Sequence, residues 1–252
     1  MAERLASATM APPPDAVDFA TIPTGRLEEM AAAGAEVVEF HRVLANTGGN
    51  IVGELLRGVE TFFEWDHYPA GDIHDSVSHS QFYYHAHPQG TRAAEHGHFH
   101  TFLRPRGMPQ GVRPAAVPDF EMPRDANDAL SHLVGISMNE FGLPIRLFTT
   151  NRWVTGEIWY EAADVKAMLP HFLIDHAQPS WPVNRWIGGM VRLFGPQIED
   201  LIDIRDRAVE TWRTAHPGRD VYEDRELEVA AFRDIDIDAQ IARIAAALEA
   251  RG

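Results

Sequence analysis

Gln81-Phe82-Tyr83-Tyr84-His85-Ala86-His87 and, after eight intervening residues, His96-Gly97-His98-Phe99-His100-Thr101-Phe102-Leu103-Arg104 are the two stretches that decide the fold. Both are rich in aromatic residues, which favour strands. Successive side chains of a strand point to opposite faces, so residues two apart share one. The spacing therefore puts His85 with His87, and His96 with His98 and His100, while Tyr84, Phe99 and Thr101 take the other side. Folded against each other as a hairpin, the two stretches gather up to five imidazoles around one point.

Further strands are predicted outward from this pair, at Thr61–Tyr68, His132–Met138, Ile145–Thr150 and Val154–Tyr160, bounded by Pro, Gly, Asp and Asn. Asn139-Glu140-Phe141-Gly142 reads as a hairpin turn between two of them. Arg104 to Arg124 holds five prolines and is predicted to be irregular. Helical periodicity flanks the strand block. A first helix is predicted over Gly25–Ala45, capped by Thr24, with a short one at Ile51–Arg57. After Ala163 the pattern is helical again, with Asp164 capping one helix, Ile198 to Trp212 marking another, and Ile237 to Leu248 a last.

The expectation is an α+β protein with a central antiparallel sheet, open or barrel-like, that carries the histidine hairpin and has helices at both termini. Residues 1–23 read as a flexible leader and 24–252 as a single domain: 24–58 helical, 60–160 mainly strands, 163–251 mainly helical.

Composition narrows the chemistry. Of 252 residues none is cysteine, which removes disulfides, thiolate catalysis and cysteine-ligated zinc or iron–sulfur centres. The formal charge of −15, with no basic run, argues against nucleic acid or an anionic membrane as partner. No apolar stretch approaches a bilayer span, and cytoplasmic location is the default expectation. Oligomerisation stays open.

Eight of the thirteen histidines lie between His67 and His100, so the enrichment is local. Neutral imidazole is a ready metal ligand near pH 7. Opposed residues of antiparallel strands hold their Cβ atoms about 4.5–5.5 Å apart, and metal–nitrogen bonds of about 2.0–2.1 Å let both rings reach one ion. His85, His87, His96, His98, His100 and, from a neighbouring strand, His67 are the candidate ligands. Glu95 is a candidate base or ligand, although regular strand geometry turns it away from His96, His98 and His100 unless the chain bulges or turns there. Asp66 is a candidate partner of a ligating imidazole. Arg152 and Arg146 flank Thr149-Thr150-Asn151 and could anchor an anionic substrate group; Tyr84 is a further candidate at an iron or copper centre. The alternative is a solvated polar strand face, or histidines satisfied by hydrogen bonds in a core.

The His-x-His pairs resemble those of cupin barrels over about twenty residues. Cupins place a glutamate three or four residues later, whereas Glu95 follows after seven. Glu95-His96-Gly97-His98-Phe99-His100-Thr101-Phe102, with Trp65-Asp66-His67-Tyr68-Pro69 and Phe148-Thr149-Thr150-Asn151-Arg152-Trp153, also resembles an uncharacterised bacterial domain family. That resemblance implies no activity.

The functional expectation is a protein that binds one divalent transition metal (iron, zinc or copper) and acts as a metalloenzyme on a small molecule. A zinc hydrolase-like reaction and an iron oxygenase-like one both suit such ligands, and aromatic crowding leans toward the second. The alternatives are a non-catalytic haem-, copper- or nickel-binding or sensor module, and a structural histidine cluster in an interaction protein.

Overall fold

The computed structural model describes residues 17–88, 92, 94–118 and 121–252. Helix α1 (Thr24–Ala45) buries Leu27, Met30, Ala33, Gly34, Val37, Phe40 and Leu44, the one-face spacing of an amphipathic helix. Its cap position is Pro23, not Thr24. Asn46 to Gly49 end it, and α2 (Ile51–Leu55) starts from Asn50, whose side chain accepts from Gly53 N–H at 2.8 Å.

Six strands follow the chain order across one antiparallel sheet: β1 (Tyr68–His74), β2 (Ser80–His85), β3 (Gly97–Leu103), β4 (Ser131–Met138), β5 (Pro144–Thr150) and β6 (Val229–Asp234). The predicted α+β class holds, with helices at both ends of the chain. The barrel alternative does not: β1 and β6 are edges and the sheet is open. Helices cover its apolar face, so that face is buried without the sheet closing on itself.

Four predicted strands lie where the sequence places them, and the β4–β5 hairpin turns at Asn139–Gly142. There Asn139 Oδ1 accepts from Phe141 and Leu143 N–H, and Gly142 takes φ 71°. Two expectations need correction. Of Thr61–Tyr68 only Tyr68 joins the sheet. Within Val154–Tyr160, α3 (Arg152–Thr155) is a helical turn capped by Asn151 and ended by Gly156 at φ 65°. The extended segment after it bonds outside the ladder, Ile158 N–H to Leu130 O and Trp159 O to Ala115 N–H. The sixth strand comes instead from Val229–Asp234, inside the region read as helical. Its local run of Glu, Ala and Arg favours helix, and pairing with β5 overrides that preference.

The remaining helices are α4 (Ala162–Met168), where Asp164 sits in the first turn and not at the cap, α5 (Trp181–Leu193), α6 (Gly195–Ala215) and α7 (Ile237–Glu249). Helix α5, absent from the sequence reading, packs against α1, and its Trp186 Nε1 donates to His41 Nε2 at 2.9 Å. One apolar cluster runs from Phe19 to Ile244 through Phe82, Tyr84, Phe99, Val134, Ile136 and Leu147 of the sheet and Trp186, Ile187 and Met190 of α5. The leader expectation falls on residues 1–16, outside the described residues, and on 17–23. In the latter, Phe19 and Ile22 are buried, and Arg251 donates to the Phe19 and Ala20 carbonyls.

Candidate metal centre

Cross-strand register builds the site. His85 lies opposite His98, and Tyr83 opposite His100; Tyr84 lies opposite Phe99, on the other face. Continuing across β4, His98 meets Ser137 and His100 meets Gly135. After a bulge at Thr101/Phe102, His132 comes beside Phe102. Phe148 of β5 sits opposite Gly135, and its ring lies where a Gly135 Cβ would stand, at 2.3 Å. Glycine is required there, and the ring it admits walls the cluster, with centroids 5.1 Å from His98 and 5.6 Å from His100.

His85, His98 and His100 each present one ring nitrogen, all within 4.8 Å of one another. His98 and His100 are each 1 % exposed, whereas His85 is half-buried. Burial, reinforced by His98, His87 and His67, holds His85 down to about 2. Burial also lowers His98, against the pull of Glu95, and it lowers His100 well below the usual range with His98, His132 and His85 beside it. These rings are therefore neutral near pH 7, the form that offers a lone pair.

Each buried ring has a partner that orients it. His98 Nδ1 stands 2.9 Å from Glu95 Oε1. Burial alone would raise the Glu95 carboxyl, but its bond to His98 and the charge of Arg92 bring it down to about 2. An ionised carboxylate only accepts, so His98 Nδ1 carries the proton and its Nε2 is left with the lone pair. That Nε2 lies 2.7 Å from His85 Nε2. His100 Nδ1 lies 3.0 Å from His132 Nε2, and His132 Nδ1 lies 3.4 Å from Thr150 Oγ1. His132 is itself lowered to about 3 by burial and by Arg205. Its backbone N–H donates to Glu157 Oε2 at 2.6 Å. Glu157 is fully buried, and burial pushes its carboxyl up to about 8.

The other sequence candidates lie around or away from this triad. His87, just past the end of β2, has its ring centroid 5.1 Å from those of His85 and His98. His67 is stacked on Tyr83 at 3.6 Å, with Nδ1 held by Asp72 at 2.9 Å, and is 5.8 Å from His85. His96 leaves the set because the ladder begins at Gly97, and it accepts from the Tyr84 hydroxyl at 2.7 Å. Tyr84 is fully buried on the helix-covered face, and its hydroxyl lies 2.5 Å from where a Gly97 Cβ would stand, so only glycine lets it pass. Tyr84 and the triad thus sit on opposite sides of the sheet. Asp66 is exposed before β1, and Glu95, not Asp66, holds the His98 imidazole. Arg146 pairs with Asp234 at 2.6 Å and lies over Phe232, whereas Arg152 pairs with Glu223 at 2.5 Å.

Sequence reasoning missed His132 and Glu157. His132 opens the predicted strand His132–Met138, but neither the pairing of that strand with β3 nor the bulge that brings His132 to His100 showed in the sequence. Nothing local marks Glu157.

With this geometry in hand, the chain's membership is clear. The model of the family described as Domain of unknown function (DUF6969) matches residues 31–235, and the chain belongs to that family. Searches of the curated proteins and of the solved structures found no match. Among the described residues no helix is long and apolar enough to cross a membrane.

Proposed function

We propose that His85, His98 and His100 hold one divalent transition metal through Nε2, and that the protein is a metalloenzyme acting on a small molecule. The observation that carries the reading is the convergence of three neutral imidazole nitrogens, two of them on rings fixed by buried partners. Glu95 sets the His98 tautomer, and His100 Nδ1 is engaged by His132 Nε2 at 3.0 Å, which leaves the His100 Nε2 as the nitrogen turned to the metal. Carboxylate or imidazole partners behind ligating histidines are the usual device for orienting them. Two nitrogens bound to one tetrahedral ion at about 2.0–2.1 Å stand about 3.3 Å apart, so His85 and His98, now at 2.7 Å, would open by about 0.6 Å while the wider separations in the set, up to 4.8 Å, would close.

Three histidines without a carboxylate in the ligand set suit zinc with one position left for water, whose pKa such an ion lowers to about 7. Engagement of Glu95 by His98 favours this over the two-histidine, one-carboxylate set of iron oxygenases. A hydrolytic or hydration reaction at a metal-bound water is therefore the proposed chemistry. A metal-free histidine cluster is the competing reading, and the 2.7 Å His85–His98 separation, itself a hydrogen-bond length, favours it.

Metal analysis of tag-free protein after reconstitution with zinc decides between them. One zinc per chain is expected, lost in His98→Ala and His100→Ala. Substoichiometric metal in the wild type, with unchanged stability on adding zinc, would establish the metal-free cluster.

A further inference from the structure

Exposure rises in one direction from the triad. His98 and His100 are closed off, His85 and His87 are half-buried, and His67 and Trp65 beyond them are exposed. Among the described residues His85, His87, His67 and Trp65 thus make up an exposed side of the cluster. Trp65 stands there, 57 % exposed, with its ring centroid 4.3 Å from His87 and 6.4 Å from His85. Its N–H donates to Ala86 O at 2.9 Å, and its φ is 73°, a conformation that a bulky side chain seldom adopts. The backbone thereby holds the indole at the rim. The His67 ring, stacked on Tyr83 within 8° of parallel, adds another flat face near His85.

Charge selects among flat ligands. From Gly58 to Thr91 the sequence has no lysine or arginine but carries Glu60, Glu64, Asp66, Asp72 and Asp75. Arg92, the next cation, is taken by Glu95 and Glu228. A carboxylate or phosphate would meet the Arg92 guanidinium only in competition with Glu95 and Glu228, and the overall charge of −15 repels it. An indole face, in contrast, attracts both aromatic rings and cations.

We infer that Trp65, with His67, forms the substrate-binding wall of the centre, and that the substrate is a small aromatic molecule without negative charge, an arylalkylamine meeting both requirements. This rests on the metal-centre reading of the triad.

The test titrates 2-phenylethylamine, 2-phenylethanol and 3-phenylpropionate into the zinc-reconstituted full chain by calorimetry, in wild type, Trp65→Ala and Trp65→Phe, with zinc content measured on the same samples. The amine is expected to bind tightest and the carboxylate weakest. Trp65→Ala should weaken the amine on the order of tenfold, and Trp65→Phe should recover part of the loss, both at unchanged zinc content. Preference for the carboxylate, binding of none of the three, or equal amine affinity in Trp65→Ala would overturn the inference. Stoichiometric zinc without amine binding sinks the wall alone; amine binding that depends on Trp65 in a protein that takes up no zinc supports the wall and sinks the metal reading.

Discussion

Adjacent rows of the same sheet do opposite work. One row, Tyr84–Phe99–Ile136–Leu147, points into the helical layer and is buried among Trp186 and its neighbours. The rows on either side of it, one residue away along each strand, read His85–His98–Ser137–Arg146 and Tyr83–His100–Gly135–Phe148. Strand alternation divides structure from chemistry at single-residue resolution. The comparison teaches that the histidines are carried by a sheet whose stability comes from its other face, which leaves their face free to hold neutral, mutually close imidazoles.

The sharpest break is on the apolar face. Phe99→Ala removes a fully buried ring between Phe82, Tyr84 and Trp186 and should cost about 3–5 kcal/mol, read from urea unfolding. Protein that remains folded should still bind one zinc; loss of zinc binding in native protein would show the two faces to be coupled.

On the histidine face, truncating an orienting partner should leave stability less affected and weaken metal binding. His132→Phe and Glu95→Gln should each lower zinc affinity by about 10–100-fold, measured by chelator competition. Equal affinity in either variant would mean that its partner does not orient the ring.

The same asymmetry appears in pH. The folded values of His85, His87 and His132, at about 2, 4 and 3, and those of His98 and His100, lie below the ordinary value of 6.5. The unfolded chain then binds more protons as pH falls, so their contribution to metal-free stability is present above about pH 6.5 and is lost progressively below it. Glu157 is opposite in sign: raised from 4.5 to about 8, its contribution is full below about pH 4.5 and is lost progressively from there until pH has risen through 8. Metal-free Tm should therefore peak near neutrality and fall on both sides, more steeply toward acid because five groups oppose one. His100→Phe should flatten the acid limb and Glu157→Gln the alkaline one; profiles unchanged by both would refute the assignment.

The smallest effect is expected at the end of the histidine row. Arg146, 41 % exposed in its pair with Asp234, should cost at most about 1 kcal/mol on change to Ala and should not alter zinc affinity. A fall in substrate affinity there would instead make it part of the site.

Much of this organisation could be read without the fold. The aromatic stretches at 81–87 and 96–104 and the turn at Asn139–Gly142 marked strands whose local preference agrees with their final state, and period two placed His98 with His100 and set Tyr84 apart from His85, whereas the register that brings His85 opposite His98 came from the ladder. Val229–Asp234 could not be found in this way, because its residues favour helix and only the open edge of β5 makes it a strand. Val154–Tyr160 failed in the opposite sense: its β-rich composition lies in a capped turn and a segment outside the ladder.

By itself the sequence determined the chemical class of the cluster, since with no cysteine its histidines are the soft nitrogen donors available, and it determined the face they share, since alternation along a strand needs only a backbone. Tertiary structure decided which imidazoles converge and what holds them. The ladder begins at Gly97 and so drops His96, the turn before it brings Glu95 back to His98, and the bulge beside Phe102 delivers His132 to His100. Those choices depend on register and on irregularities set by distant partners, which local preference does not encode.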